Sequence, residues 1–366
     1  MGFDMREMLF PKRLTIAMWD AAYMARRNVD DPFHDWDRCL DELVERRFNT
    51  IRIDAFPDAI DPKDLDKPFT FPKTEAPFSP WMWYRACDTR PGRDLIEFIN
   101  KAAERGLYLT LSSWWACLTA DLSAERATER WIALLEVIKR ECGFEHILFT
   151  DLCNEIPGFL AGYEKNLKAI GNGNQWNEGQ LAFLKSTLDG ALKMAQEAYP
   201  EMRFTFSMNI NEQFEKVGFQ HLDVLDVHLF LSDARFNART QFNDFVSKAY
   251  KSTDGYRNFS DRCKKAMDAV GPGLRQKQRQ QIKWAAEFSQ KIGAPLVTTE
   301  AWASWFYLDH PDLDWRWLID WCDVLIDDAI EFGLWGITTN NYAEPHFELW
   351  KDVAWHQRVN GKFLDS

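Results

Sequence analysis

The sequence has little of what a nucleic-acid-binding, membrane or zinc protein would need. Basic residues are in deficit: 44 Lys and Arg stand against 56 Asp and Glu, a net charge of −12. That balance speaks against nucleic acid or an anionic membrane surface as partner, because both demand a basic face. No apolar run approaches the ~20 residues of a membrane-spanning helix. The seven cysteines are scattered, without a C-x-x-C pair or the His/Cys spacing of a zinc site. They read as small buried hydrophobes in a reducing compartment. The acids do not cluster as in a calcium loop, so neither a metal nor a cofactor is expected. The opening stretch, MGFDMREMLFPKRL, carries acids and no apolar core of a secretory signal, so a cytoplasmic location is expected. Low-complexity tracts are absent, and so is the glycine-rich first turn that a doubly wound nucleotide-binding sheet would show.

What is present is an alternation of apolar β-prone runs and amphipathic helical stretches. Arg13–Asp20, Asn49–Ala55, Leu107–Trp115, His146–Pro157 (its apolar run His146–Thr150), Met202–Ile210, Val224–Leu231, Ala294–Trp302 and Leu334–Asn340 read as eight strands. Between them, Phe33–Phe48, Asp94–Arg105, Ser123–Cys142, Leu181–Ala198, Ile282–Lys291 and Leu318–Phe332 read as helices, with Gly106 as a stop and Ser123 as a cap. Gly158–Gly179 reads as a loop, and Ser232–Gln281 as long, polar and partly helical. Such alternation implies a parallel sheet with right-handed crossovers. Eight units in 366 residues favour an α/β fold of the closed (β/α)8 TIM-barrel type, one catalytic domain over residues 1–366. Long βα loops are expected after strands two and six. The first of these, from Phe56 to about Arg93, holds seven prolines and the cluster Trp81-Met82-Trp83-Tyr84; loops of that length are usually functional.

In a barrel the C-terminal ends of the strands converge on one face. Read in order, those ends are Trp19/Asp20, Arg52/Asp54, Ser113/Trp114, Asn154/Glu155, Asn209/Asn211, His228, Glu300/Trp302 and Asn340/Asn341. Two glutamates, several amides, an arginine, a histidine and indoles would thus share one pocket. A pair of carboxyl groups roughly 5 Å apart is what a retaining glycosidase needs.

These motifs resemble clan A of the glycoside hydrolases, most nearly the cellulase-like proteins around family 5. Asn154-Glu155-Ile156-Pro157 is similar to the clan's Asn-Glu-Pro segment on strand four, and Thr299-Glu300 to its strand-seven segment. The resemblance implies Glu155 as acid/base and Glu300 as nucleophile. It also implies that Asn154 contacts the sugar 2-hydroxyl, that Arg52 keeps Glu300 ionised, and that His228 matches the strand-six histidine. There are departures: Phe230 stands where the family has a tyrosine bonded to the nucleophile, Ser113 and Trp114 replace a strand-three histidine, and Trp335 and Tyr342 are merely near the usual strand-eight tryptophan. With two carboxylates so close, Glu155 is expected to titrate above the usual carboxylate range.

A carbohydrate partner is the corollary. Trp19, Trp81, Trp83, Trp114, Trp176, Trp302 and Trp305 could stack on sugar faces or anchor loops. Asn209, Tyr342 and Glu344 could meet hydroxyls. His228 could equally be a satisfied core histidine. The expected reaction is retaining hydrolysis of a small β-linked oligosaccharide or glycoside from its end. An endo-acting glucanase or mannanase, a transglycosylase and a carbohydrate-binding barrel with impaired catalysis remain open.

Overall fold

The computed structural model describes residues 11–72, 85–117, 122–156, 161–171, 175–231, 233–249, 252–302 and 309–366. Eight parallel strands build the frame: β1 (Leu14–Asp20), β2 (Thr50–Asp54), β3 (Tyr108–Ser112), β4 (Ile147–Asp151), β5 (Phe204–Thr205 and Met208–Asn209), β6 (Leu225–Phe230), β7 (Leu296–Thr298 and Ala301–Trp302) and β8 (Gly336–Ile337). Each pairs with the next, and β8 pairs with β1. The sheet therefore closes into the expected barrel. Its strands are apolar runs because helices cover the outer face while side chains fill the interior; every residue of β1, β2 and β4 is buried. At the seam, a Cβ on Gly336 would lie 3.0 Å from that of Leu14. Glycine lets the last strand approach the first.

Two strands that read as continuous are each broken in the middle, for the same reason. In β5 the Ser207 amide donates to Asp151 Oδ1 (2.9 Å) instead of to the ladder. In β7 the Thr299 amide donates to Asp226 Oδ1 (3.1 Å). In both places a buried aspartate of the neighbouring strand captures a backbone N–H. The kink in β7 immediately precedes Glu300.

The helices follow the sequence pattern with several revisions, among them an unforeseen helix at Val353–Leu364 and short ones at Ala22–Ala25 and Phe214–Val217. Gly158–Gly179, expected as a loop, contains a helix at Ala161–Ile170. The polar stretch after β6 continues into one helix of 37 residues, Tyr256–Ile292, preceded by shorter ones at Ala234–Thr240 and Phe242–Ala249. The insertion after β2 carries a two-stranded ribbon, Phe69–Phe71 with Cys87–Thr89. No helix among the described residues is long and apolar enough to cross a membrane.

The long helix clamps the barrel mouth through Gln278. Its side chain is buried, donates to the carbonyls of Leu229 and Trp302 (3.2 Å each), and accepts from Trp321 Nε1. Gln278→Ala would leave the buried Trp321 N–H without this acceptor and take a donor from the Leu229 and Trp302 carbonyls, the second of which keeps the Leu231 amide (2.9 Å), so a loss of about 1–3 kcal/mol is expected. A urea melt checks this; a change below about 0.5 kcal/mol would mean the clamp is idle.

Candidate active site

At the C-terminal ends of the strands the polar residues divide into two kinds. Asp54, Ser113, Asp151 and Asn340 fold back on the chain. Their side-chain oxygens accept from the amides two residues on, in Phe56 (2.8 Å), Trp115 (3.1 Å), Cys153 (3.2 Å) and Tyr342 (2.7 Å). These bonds turn the backbone out of the strands, and Asp20, Phe56, Trp115 and Glu155 take left-handed conformations there. For Glu155 (φ 46°) the strained turn is held by Ser207 Oγ, which accepts its amide at 2.9 Å.

The second kind forms the site. Arg52 on β2 is 1% exposed and lies at its centre. Nη1 donates to Glu300 Oε1 (2.6 Å) and sits 3.2 Å from Asp20 Oδ1. Nη2 donates to Asn154 Oδ1 and to Ser112 Oγ (3.3 Å). The arginine thus holds Asn154 by its carbonyl, and among the described residues the Asn154 amide nitrogen has no partner.

His228 on β6 stands between the two glutamates. Its Nδ1 lies 2.9 Å from Glu155 Oε1 and 3.5 Å from Glu300 Oε1. Its Nε2 lies 3.3 Å from Thr299 Oγ1, which itself donates to Asp226 Oδ2 (2.7 Å). The nearest ligand atoms of Glu155, His228 and Glu300 all fall within 4.8 Å of one another. Such a trio could ligate a cation only if His228 surrendered its Nδ1 proton, and Arg52 already neutralises Glu300.

Protonation follows from these contacts. Burial raises the Glu300 carboxyl; His228 and Arg52 only partly offset this, and it titrates near about 7. Burial also pushes Glu155 up, but the bond and charge of His228, with Asn209 and Arg52, outweigh it and hold Glu155 below its ordinary value. Burial lowers His228, yet Glu300, Glu155 and Asp226 raise it to about 9. The expected elevation of Glu155 is therefore corrected: the cation beside it, invisible as a contact in the sequence, reverses the sign.

The sequence matches the family described as sugar-binding cellulase-like over residues 16–364. The chain belongs to this cellulase-like family. With that membership, the resemblance to cellulase-like proteins holds at the level of the family, and the protein falls in the glycoside hydrolase class. Among solved structures it is similar to a candidate glycoside hydrolase of Parabacteroides distasonis, at 29% identity and a TM-score of 0.81, over 97% of this chain and 94% of that one. The fold is shared with a Pyrococcus horikoshii endocellulase in complex with cellotetraose (14% identity, TM-score 0.51, 95% of this chain and 92% of that one). It is shared as well with a β-glycosidase, BGL167 (11% identity, TM-score 0.51, 98% and 97%). No curated protein matches the sequence significantly.

In this cellulase-like barrel the expected site residues are only partly brought together. Glu155, Glu300, Arg52, Asn154 and His228 meet, and Asn209 hydrogen-bonds Glu155. Trp19, Trp302 and Tyr342 are fully buried. Trp19 packs on Phe33 (5.0 Å between centroids) and donates to the Ala343 carbonyl; Tyr342 packs on Phe347. These three are wall residues here, with no face free for a sugar. Trp114 keeps exposed surface, and its Nε1 donates to Asp20 Oδ2 (3.0 Å). Glu344 is wholly buried, 3.1 Å from His346 Nδ1, and burial drives its carboxyl well above the usual range. Pro157, Trp81, Trp83 and Trp305 lie outside the described residues. Phe230 sets its ring edge-on to His228, and the contacts to Glu300 come from Arg52 and His228 among the described residues. Asp226 and Thr299 join the hydrogen-bond network at His228, and strand-end reading passed over that network. The available signal was period two: Asp226 and His228 share one face of β6.

Proposed function

We propose that this protein hydrolyses the β-glycosidic bond of a small oligosaccharide or glycoside with retention, acting at the chain end. Glu300 attacks the anomeric carbon and Glu155 protonates the leaving oxygen, then activates water. One observation supports this above the others. The two carboxylates lie across the barrel mouth with their nearest oxygens within 4.8 Å, the spacing of a double displacement and too tight for a water between them. Asn154, held by Arg52, keeps an amide N–H free for the sugar 2-hydroxyl. End-on action fits the enclosure of the pair, since the Glu300 side chain is 3% and that of Glu155 18% exposed.

The test is a panel of aryl β-glycosides (glucoside, mannoside, galactoside, xyloside), with the first-formed sugar observed by proton NMR. A β-anomer as first product is expected; an α-anomer would exclude Glu300 as nucleophile. Faster release from short oligosaccharides than from a β-glucan polymer is expected, and a rapid fall in polymer viscosity would point to endo action. The acid limb of kcat/KM should lie near pH 7, because Glu300 attacks only as the anion and carries its proton below that value. Each pH unit below it should cost about tenfold.

A further inference from the structure

We propose that His228 is the resting store of the catalytic proton: its Nδ1–H passes to Glu155 Oε1 when substrate enters, and Asp226 with Thr299 fixes the ring so that this proton alone is mobile. The inference rests on Glu155 being the acid/base. It starts from hydrogen-bond direction. A threonine hydroxyl has one proton, and Thr299 Oγ1 commits it to Asp226 Oδ2 at 2.7 Å. A lone pair of Oγ1 therefore faces His228 Nε2 at 3.3 Å, so Nε2 carries hydrogen. Nδ1 faces Glu155 Oε1 at 2.9 Å and Glu300 Oε1 at 3.5 Å, so it carries hydrogen too. The ring is an imidazolium. Among the described residues the charged groups acting on it are acids: Asp226 on its own strand, Glu155 after β4, Glu300 in the break of β7 and Asp20 from β1; the nearby cation Arg52 is itself paired with Glu300 and Asp20.

Above about pH 7, with His228 charged and both glutamates ionised, the free site already contains the one proton that glycoside cleavage requires, but on the wrong atom. Moving it balances. The Nδ1–H bond breaks, its electron pair stays on Nδ1, and an O–H bond forms on Glu155 Oε1. The imidazolium becomes neutral imidazole and the carboxylate a carboxylic acid, with no net proton taken up. Nε2 keeps its hydrogen because Thr299 holds it, so neutral His228 has one tautomer ready to take the proton back. A sugar that fills the mouth displaces water from Glu155 and disfavours its charge, which drives the transfer. In the second half, Glu155 takes a proton from the attacking water and returns it to Nδ1. Asp226 and Thr299 act through the ring and are positioning residues.

The experiment has two arms. In the first, 15N-histidine NMR of the whole protein, with the resonance assigned through His228→Asn, reads the ring directly and needs no turnover. Both nitrogens should be protonated at pH 7 and titrate toward about 9. Thr299→Val should lower that midpoint by at least tenfold in proton affinity, and Thr299→Ser should restore it. A neutral ring at pH 7, or a midpoint indifferent to Thr299→Val, overturns the inference while leaving the glycosidase proposal intact. The second arm compares His228→Asn with wild type on two leaving groups. Asparagine can keep an N–H beside Glu155 but cannot release a proton. The loss should be on the order of a hundredfold for an alkyl glycoside and under tenfold for a dinitrophenyl glycoside, which leaves without acid help. A merely structural role would slow both alike and would overturn the proposal. An imidazolium in a protein that cleaves no glycoside would refute the proposed function, and the proton's destination with it.

Discussion

Glu300→Gln is expected to cost on the order of 10⁴-fold in kcat/KM and, at pH 8, to make the protein more stable. The loss follows from chemistry: an amide has the shape of the carboxyl group but no charge with which to attack. The gain follows from linkage. Burial lifts the Glu300 carboxyl from its ordinary 4.5 to about 7 in the folded protein, so folding favours its neutral form. That contribution is complete below about pH 4.5 and is lost as pH rises through about 7. The neutral amide retains it at every pH. A shift of this size corresponds to about 3 kcal/mol at 1.36 kcal/mol per unit. Wild type and Glu300→Gln should therefore melt together at pH 4.5, and the variant several degrees higher at pH 8. A variant less stable than wild type at pH 8 would mean that the contacts to Arg52 and His228 outweigh the burial of the charge. Glu300→Ala adds a stereochemical check. Azide entering the vacated space attacks the face the carboxylate used, once, and should release the α-glycosyl azide. Glu155→Ala leaves the nucleophile in place, so azide there should give the β-azide.

That trade explains which parts of the site were legible in the sequence. Strand ends are local: a buried β-prone run ending in Asn154-Glu155 or Thr299-Glu300 declares itself, because a fully buried strand does not choose such residues for its interior. Arg52 and His228 were legible for the same reason. Protonation is not local. Glu155 was expected above the carboxylate range from the neighbouring Glu300 charge and partial burial, but the ring that reverses this comes from β6 and meets Glu155 only across the barrel. Burial of aromatic rings is likewise tertiary. Trp19 and Trp302 end their strands just as Trp114 does, yet packing leaves only Trp114 with open surface. Asp54, Ser113 and Asn340 share the strand-end position of the site residues but form turns, a role that small polar residues fill well. The helix at Ala161–Ile170 was hidden among the glycines and asparagines that flank it.

Arg52→Met is the variant expected to damage the fold most. The guanidinium is buried, and it contacts Glu300, Asp20, Asn154 and Ser112. Its removal takes the ion-pair partner from two buried acids and leaves Glu300 with His228 alone as its neighbouring cation among the described residues, and breaking a buried pair typically costs about 3–5 kcal/mol. The cost must depend on pH. Below about pH 5, Glu300 and Asp20, both raised by burial, can take up protons and shed the penalty; at pH 8 Glu300 cannot. The melting temperature should therefore fall much further at pH 8 than at pH 5, and the acid limb of kcat/KM should move up by a unit or more. Equal losses at both pH values would assign Arg52 a packing role. Arg52→Lys retains charge but offers a point in place of a fork. It cannot hold Glu300 and Asn154 together, so it should keep much of the stability while losing on the order of a hundredfold in kcat. The double variant Arg52→Met/Glu300→Gln separates charge from shape. With the acid already neutral, removing the arginine should cost less than it does in wild type by at least 1 kcal/mol at pH 8, and by nearly nothing at pH 5. A coupling that ignores pH would mean the pair is held by geometry, and that Glu300 owes its ionisation to His228 instead.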